Sequence, residues 1–250
     1  MDVEPLLRKL KRGRLEKGSE AYKIMAEVFD RSTLFTLYRL ANRGLFDELC
    51  GAVSTGKEAN VFFARDRQGN PRAVKIYRIA TSDFRTMWRY LAGDPRFRRI
   101  RRSRRHIVYT WAKREFKNLQ CAHKVGVAVP EPLDARKNVL VMEFVGEEGV
   151  PYPRMKDRPP KDPDVMFKKL FRAVKVLYNE AELVHSDLSE YNVLVTPEPV
   201  LIDFSMATDI TNPMADEWLL RDLQNLSSYF SKLGVEVPDP EQMFQEVKGG

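Results

Sequence analysis

The apolar positions of this 250-residue chain change their spacing several times, and each change predicts an element. Over residues 31–44, "RSTLFTLYRLANRG", they recur every three or four residues and stop at Gly44. That spacing predicts a helix starting after Ser32. A second helical stretch, "SEAYKIMAEVF", precedes it with Ser19 as its N-cap. From Ala59 the spacing becomes strand-like: "ANVFFARDRQGNPRAVKIYRI" reads as two strands around the turn "RQGNP". Helical spacing returns in "YTWAKREFKNLQCAHKVG", and "NVLVMEFVG" is a strand. "PYPRMKDRPPKDP" is too rich in proline for regular structure. Asp162 and Pro163 then open a helix with an inward stripe of Met166, Leu170, Val174, Leu177 and Tyr178. "LVHSDLSEYNVLVTPEPVLIDFSMA" carries two short apolar strands with polar ends, and "ADEWLLRDLQNLSSYFSKLG" is the last helix before a tail.

The first half is thus helix, hairpin and strand, and the second is helix, short strands and helix. This order predicts an α+β, two-lobed arrangement with a hinge near residues 143–148. The expected division is a helical extension over 1–49, a first lobe over 50–142 with an Arg-rich insert at 84–108, the hinge, and a second lobe over 149–250. Composition narrows the function classes. No apolar run approaches the about 20 residues of a membrane span. The opening "MDVEPLLRKLKRGRLEKG" lacks the apolar core of a signal peptide. Cys50 and Cys121 follow no metal spacing, and three histidines are too few for a His-based metal site. These features point to a cytoplasmic protein with reduced thiols.

Charge adds one local feature. The chain has 42 basic and 35 acidic residues, net +7, and seven arginines fall within "RFRRIRRSRR" at 96–105. Removing that run would leave the chain neutral. Arginine forks match phosphate oxygens and stack on bases, so an RNA or phosphoprotein contact is the expectation there, against a charged loop that binds nothing specific.

The strongest chemical signal is "HSDLSEYNVLV" followed by "LIDF". It sets Asp187, then Asn192 five residues on, then Asp203 at the end of the next apolar strand. Magnesium prefers oxygen ligands, and phosphoryl transfer needs one carboxylate for the acceptor and an Asn with an Asp for the metal. The spacing H-x-D-x-x-x-x-N matches the kinase catalytic loop. Upstream, "AVKIY" places Lys75 on the third strand, where its ammonium would meet the α- and β-phosphates. Glu115 stands four residues from both Trp111 and Leu119, hence on an apolar helix face where an unpaired carboxylate is costly. A Lys75–Glu115 ion pair resolves that cost.

"GAVSTGKEANV" imitates a Walker loop through Gly51, Gly56 and Lys57, but Glu58 stands where a Ser or Thr would hold magnesium. A Walker loop also runs into a helix, whereas this one runs into the hairpin. It suits a loop that covers phosphates between two strands, though the G-x-G-x-x-G of protein kinases is missing.

Taken together, "STGKEANV", "AVKIYR", "MWRYLAGDPRF", "VMEFVG", "HSDLSEYN" and "LIDFS" resemble the RIO family of atypical serine/threonine protein kinases, over about residues 30–230. The likeness is to its type-one subfamily in a short, archaeal-like form, with no room for the winged-helix domain of the second subfamily. The resemblance implies a bilobal protein-kinase-like fold with a reduced second lobe. It implies ATP and Mg2+, with Mn2+ as a substitute. Asp187 becomes the catalytic Asp, and Asn192 with Asp203 the metal ligands. Ser54 and Lys57 become phosphate contacts. Met142 would lie behind the adenine, with the Glu143 carbonyl and Val145 amide bonding its edge. The family also implies ATP hydrolysis, a transient phosphate on Asp203, and action on the small ribosomal subunit precursor with its rRNA and assembly factors. Ser103 is a candidate autophosphorylation site.

Departures from ordinary protein kinases limit what carries over. Ser186 replaces the Arg that pairs with a phosphorylated activation loop, Ser205 replaces the glycine of D-F-G, and no A-P-E follows. The platform that docks extended peptides is therefore not expected. Two other readings share parts of the pattern: a small-molecule kinase of the aminoglycoside or choline type, and a non-catalytic RNA-binding assembly factor switched by nucleotide.

Overall fold

The structure, a computed structural model, describes residues 29–97 and 101–249. Of the helix expected at 19–29, only Phe29 falls within these residues, and its ring lies 5.7 Å from that of Phe62. Arg98 and Arg99 of the arginine run lie outside them.

The chain divides into two compact units, neither contiguous in sequence. Of the described residues, the first comprises 29–88, 101–116 and 132–151, and the second 89–97, 117–131 and 152–249. Residues 89–97 and 117–131, which precede the expected hinge, thus group with the second unit.

The first unit opens on α1 (Arg31–Asn42). Its N-cap is Asp30 rather than Ser32, because the Asp30 carboxylate accepts the Thr33 N–H at 2.7 Å. A five-stranded antiparallel sheet follows, in the order β1 (Glu48–Thr55), β2 (Ala59–Arg65), β3 (Pro71–Tyr77), β5 (Val139–Glu143) and β4 (Pro132–Arg136). The β2–β3 hairpin closes on Asp66, which accepts the N–H groups of Gln68 and Asn70 while Gly69 takes φ +85°. Strand alternation sorts the two faces. Phe62, Ala64, Val74, Ile76, Val139 and Val141 share one face and pack on Leu37 and Leu40 of α1. Lys75 and its cross-strand neighbours Val61 and Leu140 take the other.

The expected hinge holds a tight hairpin, β6 (Gly146–Glu147) against β7 (Val150–Pro151). Glu148 and Gly149 turn it with φ +51° and +82°. A Cβ on Gly146 would sit 2.2 Å from the Val150 carbonyl oxygen, so no other residue fits there.

The span 79–108 is more helical than its composition suggests. It contains α2 (Phe84–Ala92), capped by Asp83. It also contains the start of α3 (Arg104–Lys124), five residues ahead of the expected "YTWAK". Arginine–aromatic stacking accounts for the extension. Arg102 and Arg104 each lie 5.0 Å from a ring centroid, of Trp88 and Phe84 respectively.

The second unit is built on α4 (Pro163–Asn179), α5 (Ala215–Lys232) and α6 (Pro240–Lys248). Asp162 caps α4 by accepting the Val165 N–H at 3.0 Å. The expected stripe is buried except Tyr178, which is half-exposed, and Phe167 joins it. Helix α6 corrects the tail expected after α5. Short paired strands carry the loops, β8 (Leu183–Val184) with β11 (Thr208–Asp209) and β9 (Val193–Leu194) with β10 (Val200–Leu201).

Candidate active site

The chemistry-bearing residues fall into two sets, one in each unit. In the first unit, Lys75 Nζ lies 2.7 Å from Glu115 Oε1, and the side chains are 8% and 1% exposed. The Tyr77 hydroxyl donates to the other oxygen of Glu115. The carboxylate on the apolar face of α3 is therefore neutralised, and Lys75 is held on the inner face of β3. Tyr77 escaped the sequence reading because its hydroxyl carries no positional signature.

The loop "STGK" joins β1 to β2. Ser54, Gly56 and Lys57 are exposed, and buried Asn60 shapes the turn beneath them. The Gly56 N–H donates to Asn60 Oδ1 at 3.1 Å and to the Ala59 carbonyl at 3.0 Å. A Cβ on Gly56 would press on that same carbonyl oxygen at 3.0 Å, so the glycine serves close approach here. The Thr81 hydroxyl donates to the Lys57 carbonyl at 2.7 Å and pins the far side. At the end of β5, Met142 and Val145 are half-buried and Glu143 is exposed. Between them Phe144 turns inward, its ring 4.8 Å from that of Phe63 and edge-on to it.

In the second unit, Asn192 immediately precedes β9 and Asp203 lies two residues past β10. Asn192 Nδ2 donates to the Asp187 carbonyl at 2.8 Å and to Asp187 Oδ2 at 3.0 Å. The planar amide then presents Oδ1, its acceptor end, to any cation. Burial, then the negative charge of Asp203, raise the Asp187 carboxyl above the ordinary range, while Asn192 and Arg221 pull it down. Ser186 and Asp203 both take left-handed φ, +66° and +62°. The unusual backbone therefore falls on Asp203 itself and not on Ser205, the residue in the glycine position.

Helix α5 secures this loop with side chains that the sequence reading left out. Asp222, 1% exposed, accepts the N–H of Ser186 at 2.7 Å and of Leu188 at 2.9 Å. Arg221 donates to the Ser186 carbonyl, and Asn225 to the Leu188 carbonyl at 3.0 Å. Burial pushes the Asp222 carboxyl up to about 8, against the pull of its two N–H donors and Arg221. His185 is buried beside Phe204, its Nε2–H directed at the Ile202 carbonyl at 3.1 Å, and burial lowers its imidazole to about 4. It is a neutral structural group at physiological pH.

Among the described residues, no group of three or more His, Cys, Asp or Glu side chains gathers as a metal site. The acidic set here is two carboxylates and a carboxamide, all oxygen donors. Magnesium keeps several waters and takes phosphate oxygens, so this small set fits it together with a phosphate chain. Among the described residues no helix is long and apolar enough to cross a membrane.

The RIO domain family model matches residues 60–243. The chain is similar to the RIO-type serine/threonine-protein kinase Rio1 of Methanocaldococcus jannaschii, 45% identical over 88% of this chain and 76% of that protein. It is 39% identical to the Rio1 kinase of Haloferax volcanii, over 93% of this chain and 80% of the relative. The human serine/threonine-protein kinase RIO1 is 32% identical over 93% of this chain, which spans 43% of that longer protein. In fold, the chain is similar to the Rio2 kinase–ADP/Mg2+–phosphoaspartate complex from Chaetomium thermophilum. That match has a TM-score of 0.69 and 20% identity, and covers 99% of this chain and 85% of the other. The chain belongs to the RIO family of serine/threonine-protein kinases.

Proposed function

We propose that the protein transfers the γ-phosphoryl group of ATP to a serine or threonine hydroxyl, its own included, or to water. The observation that carries this reading is the Asn192 amide bonded to Asp187 within the field of Asp203. That grouping joins a carboxylate for the acceptor to two oxygen donors for a hard cation. Lys75, steadied by Glu115, pairs with the α- and β-phosphates. Ser54, Lys57 and the loop that carries them take the outer phosphate. Met142 packs on the adenine, and the Glu143 carbonyl and Val145 N–H bond its edge. Asn192 and Asp203 hold Mg2+, or Mn2+ in its place. When bound, the cation offsets the phosphate charge as it moves onto the leaving group.

In the transfer, Asp187 accepts the proton of the attacking hydroxyl. The new O–P bond forms while the bond from the γ-phosphorus to the bridging oxygen breaks, and ADP leaves. In a variant of the reaction the Asp203 carboxylate attacks the phosphorus, and water later hydrolyses the acyl phosphate. The phosphoaspartate of the related Rio2 complex supports that variant. For the physiological setting, the family resemblance favours a precursor of the small ribosomal subunit in the cytoplasm, with its rRNA and assembly factors as partners.

The test is turnover of γ-labelled ATP with Mg2+, alone and with purified small-subunit precursor, by the wild type, Asp187→Ala and Asp203→Ala. Both variants should lose at least about 100-fold in phosphate release. Label on the protein should divide into a hydroxylamine-sensitive acyl phosphate and a resistant phosphoserine. Wild-type turnover by both variants would sink the reading.

A further inference from the structure

Arg96, the first arginine of the run, does not serve the run's charge. Its Nε and Nη2 donate to Asp94 Oδ1 and Oδ2 at 2.9 and 2.7 Å, and Nη2 also reaches Asn118 Oδ1 at 2.8 Å. Asp94 is 1% exposed and Asn118 fully buried. A guanidinium can only donate, so it fixes the oxygen end of the Asn118 amide and turns Nδ2 the other way. There Nδ2 donates to the Phe204 carbonyl at 2.9 Å and to the Ala207 carbonyl at 2.7 Å.

Those two carbonyls belong to the turn directly after Asp203, which the Ala207 N–H closes onto the Phe204 carbonyl at 3.2 Å. One amide thus holds both ends of the turn. A second contact reinforces the dock. A Cβ on Gly93 would sit 2.9 Å from Asn212 Nδ2, and Asn212 is itself bonded to Thr208 Oγ1 at 3.0 Å. The left-handed backbone of Asp203 is costly for a residue with a Cβ and persists only when its surroundings hold it.

We infer that Asp94, Arg96 and Asn118 form a positioning relay that fixes the backbone after Asp203 and so sets how its carboxylate meets the metal–nucleotide complex. The inference rests on the proposed role of Asp203 as a metal ligand. If Asn118 merely satisfied a buried turn, its loss would lower stability and nothing else. As a relay it also governs how much Mg2+ strengthens nucleotide binding.

The test is ADP affinity by calorimetry, with Mg2+ and in EDTA. Asn118→Asp keeps a partner for Arg96 but replaces both donations with repulsion. It should cut the Mg2+-dependent gain in affinity at least about tenfold, as loss of groups that orient a metal ligand generally does. Its affinity in EDTA should stay within about twofold of wild type. Arg96→Ala should have a smaller effect, and Arg96→Lys should regain part of it; that pair decides the matter if Asn118→Asp does not fold. Phe230→Leu, a core change in α5, controls for general softening. An equal loss of the gain in that control at matched melting temperature overturns the relay. Asp203→Asn separates the two readings. If it abolishes the Mg2+ gain while Asn118→Asp and Arg96→Ala leave it intact, the relay alone is wrong. If it leaves the gain unchanged, the metal assignment fails and the relay with it.

Discussion

The two charged sets solve opposite electrostatic problems. In the first unit, Lys75 and Glu115 are opposite charges at 2.7 Å, shielded from water and tied by Tyr77. In the second, Asp187 and Asp203 are like charges, and the charge of Asp203 raises the cost of ionising Asp187. The first set is electrically complete and acts by holding a cation in place. The second works against its own stability, as its proposed role of receiving a cation and a proton would require. The difference predicts that mutations in the two sets will separate activity from stability in opposite ways.

The largest effect should come from Asp187→Asn. It removes the proposed proton acceptor and should lower phosphoryl transfer by about 100- to 10,000-fold. It also removes one of two repelling charges while keeping a hydrogen-bonding group beside Asn192. The melting temperature should therefore hold or rise. A clear fall in both would show that the acidic pair stabilises the fold, and would break the contrast.

Lys75→Met should behave in the reverse sense. It leaves Glu115 buried with its ammonium partner removed, at a cost of about 3 kcal/mol of stability, the low end for a broken buried pair since Tyr77 still donates. Adding Glu115→Gln removes the stranded charge and keeps an acceptor for Tyr77. The double variant should regain more than half of the loss in a urea titration. Additive costs would mean that the two residues are not coupled.

Glu115 is legible in the sequence because it stands at i±4 from Trp111 and Leu119, where a charge must have a partner. Asp222 stands at i±4 from Trp218 and Leu226 and gives the same signal. Unlike Glu115, it has no cation at a motif position to pair with; its partners are backbone N–H groups, which leave no trace in sequence. Asp239 with Pro240 repeats the cap signal of Asp162 with Pro163, yet nine residues of weak periodicity read as a tail. Strand β4 escaped because all five of its residues are half-buried and show no alternation. The Asp94–Arg96–Asn118 relay was hidden by the arginine run, which reads as a charged surface until Asp94 is seen to claim its first member. Short motifs with side-chain chemistry were legible, and their backbone supports were not.

His185 adds a pH-dependent test within the second set. Its folded pKa of about 4 lies below the ordinary 6.5, so the unfolded state binds the proton more readily between these values. The resulting stability is full above pH 6.5 and is lost as pH falls towards 4. The shift corresponds to as much as about 3 kcal/mol. His185→Gln should flatten the stability profile across this window while leaving the Lys75–Glu115 cluster unaffected. An unchanged acid limb in denaturant titrations at pH 4, 5 and 6.5 would assign that limb to other groups.

The smallest effect compares one device used in both units. Asp30 caps α1 and Asp162 caps α4, each by accepting one N–H at 2.7 and 3.0 Å. Replacing either with Ala should cost about 1 kcal/mol. Asp30 has one further tie, an exposed ion pair with Arg105 at 3.3 Å. Exposed pairs contribute a few tenths of a kcal/mol and are screened by salt. Asp30→Ala should therefore exceed Asp162→Ala by that margin at low ionic strength, and the excess should vanish in about 1 M salt. Asp30→Asn, which keeps the cap and loses the charge, should show only the salt-sensitive part. If Asp30→Asn costs as much as Asp30→Ala at low salt and neither costs anything in about 1 M salt, the capping bond contributes nothing and Arg105 is the true anchor of α1.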